Sequence, residues 1–331
     1  MSFQEKYLSI FEVVKDDVEK VKSSLFDGIE LDNSLKFKLF DILNAPSKHI
    51  RAVLTFLYLK TAGMEIDKKQ IIYQSAIELV HNASLIHDDV IDESSVRRSV
   101  QTLNSKFGNK LAVITGDYLL SVALKKIRTL ENSKIIDIFA QTLDDMCQGE
   151  IKQDLSRFKI PTIEEYLKKT ELKTAKLFET ALCGSLLLCG AGGSPHLEIR
   201  DFGSPARGGH EVSEEEIAGT PLAPTGRGCH EVMSEGFYCS NVQNFARNFG
   251  IAFQIRDDLI NAKTSQNDFK DGIYTAPVIF AGSVDDYENG IEKTQILLNN
   301  YIESAQKEIE KFEESKYKTA LTNLLGLIKN E

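Results

Sequence analysis

Cysteine is scarce and unpatterned in this sequence: Cys147, Cys183, Cys189, Cys229 and Cys239 include no CxxC pair. That argues against a disulfide framework or a zinc site of usual spacing and fits a reducing cytoplasm. Positive charge is also in deficit, since 39 Lys and Arg stand against 49 Asp and Glu for a net charge of −10. Nucleic acid is therefore not expected as a main partner, because phosphate backbones are bound through an excess of cations. An anionic substrate would need metal ions or locally clustered cations. The longest apolar stretch, Ala181 to Gly192, is too short to span a bilayer. The opening MSFQEKYLSIFEVVKDD lacks a basic start followed by an apolar run, so the expectation is a soluble, cytoplasmic protein.

Strand-like alternation is nearly missing as well. Apolar residues instead recur at three- and four-residue steps, as in Tyr7, Ile10, Phe11, Val14, Val18 and Val21. The chain reads as all-α, with helices over about 3–24, 35–43, 48–62, 68–93, 110–130, 133–158, 163–190, 241–262 and 285–328. A 42% hydrophobic content over 331 residues suffices for one large helical bundle, expected as a single domain over 1–331. One segment breaks the pattern: residues 190–236 hold ten of the 21 glycines and four of the seven prolines. Within it Arg207 to Val212 (RGGHEV) returns as Arg227 to Val232 (RGCHEV), too few copies for a repeat architecture. The expectation is an irregular insertion over about 194–236; a metal site from His196, His210, His230 and Cys229 is the competing reading.

The sharpest local pattern is Leu85 to Ser94 (LIHDDVIDES), where Asp88 and Asp92 lie four apart at the C-terminal end of a long apolar helix. They share a face. Carboxylates there repel each other and gain nothing from the helix dipole, and a divalent cation resolves both conflicts. Oxygen-only ligands suit Mg²⁺, which fills its remaining positions from water and substrate phosphate. A solvated acidic helix end is the bland alternative. A second cluster weighs against it: Phe253 to Asn261 (FQIRDDLIN) again sets adjacent aspartates, Asp257 and Asp258, at the end of an apolar run. Cations fall where a diphosphate would need them, at Lys48, Arg51, Arg97, Arg98, Lys173 and Lys263.

With these residues in view, the chain resembles the trans-polyprenyl diphosphate synthases, and within them the longer-chain bacterial type that includes octaprenyl diphosphate synthase. The likeness covers about residues 44–190 and 241–282, with motifs in the family's order. Ser47 to Arg51 (SKHIR) resembles the GGKRxRP turn, Glu78 to Ser99 the first aspartate-rich motif with its arginine pair, and Gln148 to Asp154 (QGEIKQD) the QGExxD helix. Lys173 and Thr174 resemble the KT pair, Phe253 to Asp258 the FQxxDD motif, and Lys263 through Pro277 the tail.

The resemblance implies an isoprenoid-synthase bundle with a central cavity. It implies that Asp88, Asp92 and Asp257 hold Mg²⁺, three ions with bound diphosphate, and that Asp88, Asp92, Lys173 and Asp257 are catalytic. Arg97, Lys173, Thr174, Gln254 and Lys263 would contact an allylic diphosphate such as farnesyl diphosphate. Lys48, Arg51, His81 and Arg98 would bind isopentenyl diphosphate. His81 could instead be an ordinary core histidine, but it shares the face of Asp88. Small residues at Ala83 and Ser84, above Ala76, Leu79 and Val80, would admit a hydrocarbon well beyond fifteen carbons. A homodimer is implied, with contact to a membrane surface for releasing a long product.

Several positions depart from the family pattern: His49 stands for an arginine, Ala52 for the turn proline, Ser99 for a glycine and Ile273 for a lysine. The second cluster ends in Asn261, which leaves Asp257 as the metal ligand and Asp258 in support. Two other readings remain at this stage, a non-catalytic subunit of a heteromeric synthase and a class I terpene cyclase. The series Asp257, Asn261, Ser265 begins a cyclase metal motif but lacks its final acid.

Overall fold

The computed structural model describes residues 3–189, 236–264, 272–282 and 286–329. Most of the 194–236 insertion, with His196, His210, Cys229 and His230, lies outside them, as does Ser265. Among the described residues the only strands are β1 (Val96–Arg97) and β2 (Val100–Gln101), a two-stranded antiparallel ribbon.

Fourteen helices make up the rest of the described structure. In chain order they are α1 (Phe3–Glu12), α2 (Lys15–Ser24), α3 (Asn33–Leu43), α4 (Ile50–Thr61), α5 (Lys68–Ile91), α6 (Leu103–Phe107) and α7 (Asn109–Arg128). Then follow α8 (Ser133–Leu155), α9 (Ile163–Thr170), a π-helical turn (Glu171–Ala175), α10 (Lys176–Cys189) and α11 (Gly236–Lys263). The chain closes with α12 (Ala276–Ala281), α13 (Tyr287–Ile309) and α14 (Lys316–Lys329).

Two of the long helices expected from periodicity are in fact pairs. The 3–24 run divides at Val13 and Val14, a β-branched pair with little helix preference, and Val14 takes φ −127°. The 285–328 run divides because the Ser315 hydroxyl accepts from the Lys318 amide at 3.1 Å and starts a new helix. The 163–190 run is interrupted by the π-helical turn, which apolar spacing alone does not reveal.

Helices α4 and α10 are buried nearly all round, Ile50 to Leu59 in one and Leu177 to Leu188 in the other, as expected of helices apolar on every face. One buried cluster joins α4 to α11, α13 and α14; a second joins α5 to α7 and α8; α10 contributes to both. Polar ties fix α5 against α10. Tyr73 donates its hydroxyl hydrogen to the Thr180 carbonyl at 2.8 Å, and the Gln74 amide donates to Ala181 O and Ser185 Oγ, each at 2.8 Å. A capping box between Asp67 and Gln70 starts α5, so its direction is set from its first turn. No described helix is long and apolar enough to cross a membrane.

Candidate active site

The C-terminal half of α5 carries His81, Ser84 and Asp88 half-buried on one face, with Asp92 at the C-cap. Asp89, one residue on, points elsewhere: it is buried and its Oδ1 accepts from Arg97 Nε at 2.6 Å, which ties the ribbon to the helix. The Asp88 carbonyl accepts from the Asp92 amide at 2.8 Å, and its carboxylate has no hydrogen-bond partner among the described residues. Burial pushes its carboxyl up to about 6, with Glu150 and Asp92 acting in the same direction against Lys173 and Arg97. Asp92 lies 3.6 Å from Arg157, which also bonds Asp154 at 2.8 Å.

Lys173 reaches Asp88's neighbourhood from the π-helical turn and forms an ion pair with Glu150 of α8. The turn is held by two close approaches. A Cβ on Gly149 of α8 would stand 3.0 Å from the Lys173 nitrogen, and one on Gly250 of α11 would stand 2.6 Å from Ala175 Cα. π-Helical bulges recur at functional sites because the extra residue re-aims the side chains it carries.

The same turn locks α11 in place. Thr174 donates to Gln254 Oε1 at 2.8 Å, and Gln254 Nε2 donates to Asp258 Oδ1 at 2.8 Å. Tyr166 of α9 donates to the other Asp258 oxygen at 2.6 Å. Asp258 is thus buried and hydrogen-bonded at both oxygens, a scaffold residue. Asp257 is the more open partner, 3.1 Å from Arg256 NH1. Its carboxyl is raised by burial, while the charges of Arg256, Lys48 and Arg51 pull it back. The π-helical turn thus links the two helices, since the Lys173 charge acts on Asp88 and Thr174 bonds Gln254 on α11, while the Arg51 charge acts on Asp257 and Glu78 from α4.

The turn before α4 supplies the remaining cations. His49 caps that helix in the left-handed region at φ 45°, and its Nδ1 lies 3.0 Å from Glu78 Oε2. Arg51 is buried with its guanidinium 4.7 Å from the Phe178 ring; burial lowers it to about 10, although Glu78 and Asp257 support its charge. His81 is driven well below the ordinary imidazole range by burial and by Arg51, with Glu78 opposing and Arg98 and Arg97 assisting. Arg98 and Ser99 both have positive φ, 51° and 64°, at the centre of the β1–β2 turn. Ser99 thus occupies a left-handed position where a glycine would carry no strain. Helix α1 closes this end: Tyr7 donates to the Lys48 carbonyl, and the Phe3 ring lies 3.9 Å from Lys48 Nζ and 4.6 Å from the Arg256 guanidinium carbon.

Lys263 sits exposed at the end of α11, and no contact among the described residues joins it to the others. Ala76, Val80 and Ala83 are enclosed in the α5–α7 core, whereas Ser84 is half-buried and bonds the His81 carbonyl at 2.8 Å. Reasoning from sequence alone passed over Glu78, Glu150 and Phe3 as site-forming groups. For Glu78 the signal was present, a lone acid in the apolar run Ala76 to Val80.

Among the described residues, no three His, Cys, Asp or Glu side chains converge closely enough to enclose an ion. An open set of hard carboxylates, one left without a hydrogen-bonded partner, fits Mg²⁺, which takes few protein ligands and completes its shell from water and phosphate.

The chain is thus of the all-α bundle class, with carboxylate clusters on α5 and α11 and with Arg51, Arg98 and Lys173 near them. A family model described as polyprenyl synthetase matches residues 33–206. Solanesyl diphosphate synthase 2, chloroplastic, of Arabidopsis thaliana is 26% identical over 96% of this chain and 75% of its own. A prenyl transferase of Cyanidium caldarium is 30% identical over 81% of this chain and 73% of its own. The crystal structure of a Caulobacter crescentus polyprenyl synthase complexed with calcium and isoprenyl diphosphate superposes with a TM-score of 0.75 at 19% identity, covering 98% of each chain. The chain belongs to the polyprenyl synthetase family and is an enzyme of the prenyl transferase class.

Proposed function

We propose that the protein condenses isopentenyl diphosphate with an allylic diphosphate, farnesyl diphosphate among them, to a medium- or long-chain trans-polyprenyl diphosphate such as octaprenyl diphosphate. The observation that carries this reading is the unpartnered Asp88 carboxylate, raised to about 6 beside Lys173, with Arg51 on α4 acting on Asp257 of α11. The Caulobacter relative's calcium and isoprenyl diphosphate support it.

In this reading Asp88, Asp92 and Asp257 would hold Mg²⁺, three ions with bound diphosphate, and the metal would supply neutralisation of charge on the leaving diphosphate. Lys173, Thr174, Gln254, Arg97 and Lys263 bind the allylic diphosphate. Lys48, Arg51, Arg98 and a neutral His81 orient isopentenyl diphosphate. The allylic carbon–oxygen bond breaks, the double bond of isopentenyl diphosphate forms the new carbon–carbon bond, and a proton leaves to a diphosphate oxygen. Ser84, Ala83, Val80 and Ala76 set chain length, with small side chains next to the diphosphate end.

A homodimer is proposed on an apolar stripe that α8 leaves exposed: Ile136, Ala140, Leu143, Cys147, Ile151 and Leu155 share one face, and Leu143 is only partly covered. Val113, Ile114 and Leu124 of α7 are exposed as well. Product release at a membrane surface belongs to the same proposal.

The test is product analysis with farnesyl diphosphate, labelled isopentenyl diphosphate and Mg²⁺, with Asp88→Ala and a chelator as controls. A ladder ending in one long prenyl product, absent in both controls, establishes the activity and its chain length. No incorporation by folded protein with any allylic starter would replace it with a non-catalytic subunit of a heteromeric synthase.

A further inference from the structure

The buried acid of α5 is not part of the metal-binding set. Glu78 is 1% exposed and lies ten residues before Asp88, roughly 15 Å along the helix. Polar groups from four parts of the chain face it: His49 from the turn before α4, with Nδ1 at 3.0 Å, Arg51 on α4, His81 one turn further along α5, and Arg98 on the ribbon. Tyr7 of α1 also feels its charge. Burial disfavours the charge of both Arg51 and Arg98, Arg98 adds to this at Arg51 and Arg97 at Arg98, and Glu78 is the largest supporting charge for each. An isolated buried carboxylate would be costly, so its retention calls for the charges around it. One of its oxygens, Oε1, and Arg51 Nε are buried with no hydrogen-bond partner among the described residues, so this cluster is not internally saturated.

We propose that Glu78 is the positioning residue of the isopentenyl diphosphate half of the site: through His49 it fixes the left-handed turn presenting Lys48 and Arg51, and it is the counter-charge that lets Arg51 and Arg98 crowd together. His49 stands where the resemblance expects arginine, so in this chain the link from the turn to Glu78 is an imidazole rather than a guanidinium. The inference rests on the substrate assignment proposed above. It adds a residue that touches no substrate and acts only through the cations.

The test uses the full chain, with calorimetric titration of isopentenyl diphosphate and steady-state kinetics in both substrates. Glu78→Gln is expected to weaken isopentenyl diphosphate binding and raise its KM about tenfold, while KM for farnesyl diphosphate stays within about twofold. His49→Arg places a permanent cation on Glu78 and should retain binding, whereas His49→Gln should lose it. A general structural lesion would move both substrates together. Unchanged isopentenyl diphosphate affinity in Glu78→Gln, or equal loss for both substrates, overturns the proposal. Should Glu78→Gln fail to fold, the two His49 variants decide, and equal affinities overturn it. Wild-type protein that binds isopentenyl diphosphate but makes no product defeats the condensation reading and leaves this one standing; wild-type protein that does not bind it defeats this one.

Discussion

Two acids on helix α5, ten residues apart, sit in opposite electrostatic surroundings. Asp88 is buried beside other carboxylates and is pushed up to about 6. Glu78 is buried more deeply, yet the His49 hydrogen bond and the favourable electrostatics of His49, His81 and Arg51 beside it outweigh its burial and hold it at about 2. Burial pushes both up; at Asp88 it prevails over Lys173 and Arg97, and at Glu78 the His49 hydrogen bond and the charges nearby prevail over it. At Glu78 the protein supplies its own counter-charge. At Asp88 Lys173 and Arg97 oppose the effect of burial without reversing it.

The largest expected break in this contrast is catalytic. Asp88→Asn should lower turnover by about 10³-fold, measured at saturating Mg²⁺, because charge stabilisation at the reacting centre is lost.

Next comes stability on the Glu78 side. Removing the imidazole in His49→Ala leaves a buried carboxylate uncompensated and should cost about 3 kcal/mol in urea unfolding at neutral pH. In wild type this contribution is fully present above the ordinary Glu value of 4.5 and is lost as pH falls toward about 2, because the unfolded chain takes up the proton first. A wild-type unfolding midpoint that is flat between those pH values would break the contrast.

The sign reverses at Asp88. Its raised value means that the folded state keeps the proton longer, so apo stability should fall as pH rises from 3.8 to about 6 and stay low above. Asp88→Asn should therefore raise the apo stability by about 2 kcal/mol above pH ~6 and leave it nearly unchanged at pH ~4. The substitution that most damages turnover would stabilise the empty protein. Smallest and most local is Gly250→Ala. The added Cβ meets Ala175 backbone at 2.6 Å, which should cost about 1–2 kcal/mol and raise KM for the allylic substrate through Lys173 and Thr174.

The bundle was legible because helix periodicity reports burial directly, and α5, α7 and α8 lie close to where spacing put them. The aspartate clusters were legible because their spacing carries a face. The β1–β2 ribbon was not, since two-residue strands have no alternation to read. Nor were the pairings around Glu78 and Lys173, which join groups 29 and 23 residues apart in sequence. Such contacts are set by how helices stack, not by local pattern. Asp258 accepts from Gln254, one turn back, and from Tyr166, 92 residues away, and the second of these bonds has no signal in local sequence.

The π-helical turn at Glu171–Ala175 holds one more residue than an α-helical turn would need. That surplus residue is accommodated inside a packed helix. Deleting it would return the segment to an ordinary α-helix and rotate everything on one side by about 100°. The chain could absorb the deletion by rotating α9, the shorter flank, and keeping α10 in its seat. The bundle's architecture would survive while Lys173 and Thr174 turned away from Glu150 and Gln254. In this segment the reading frame of the side chains, rather than their identity, separates a folded protein from a working one.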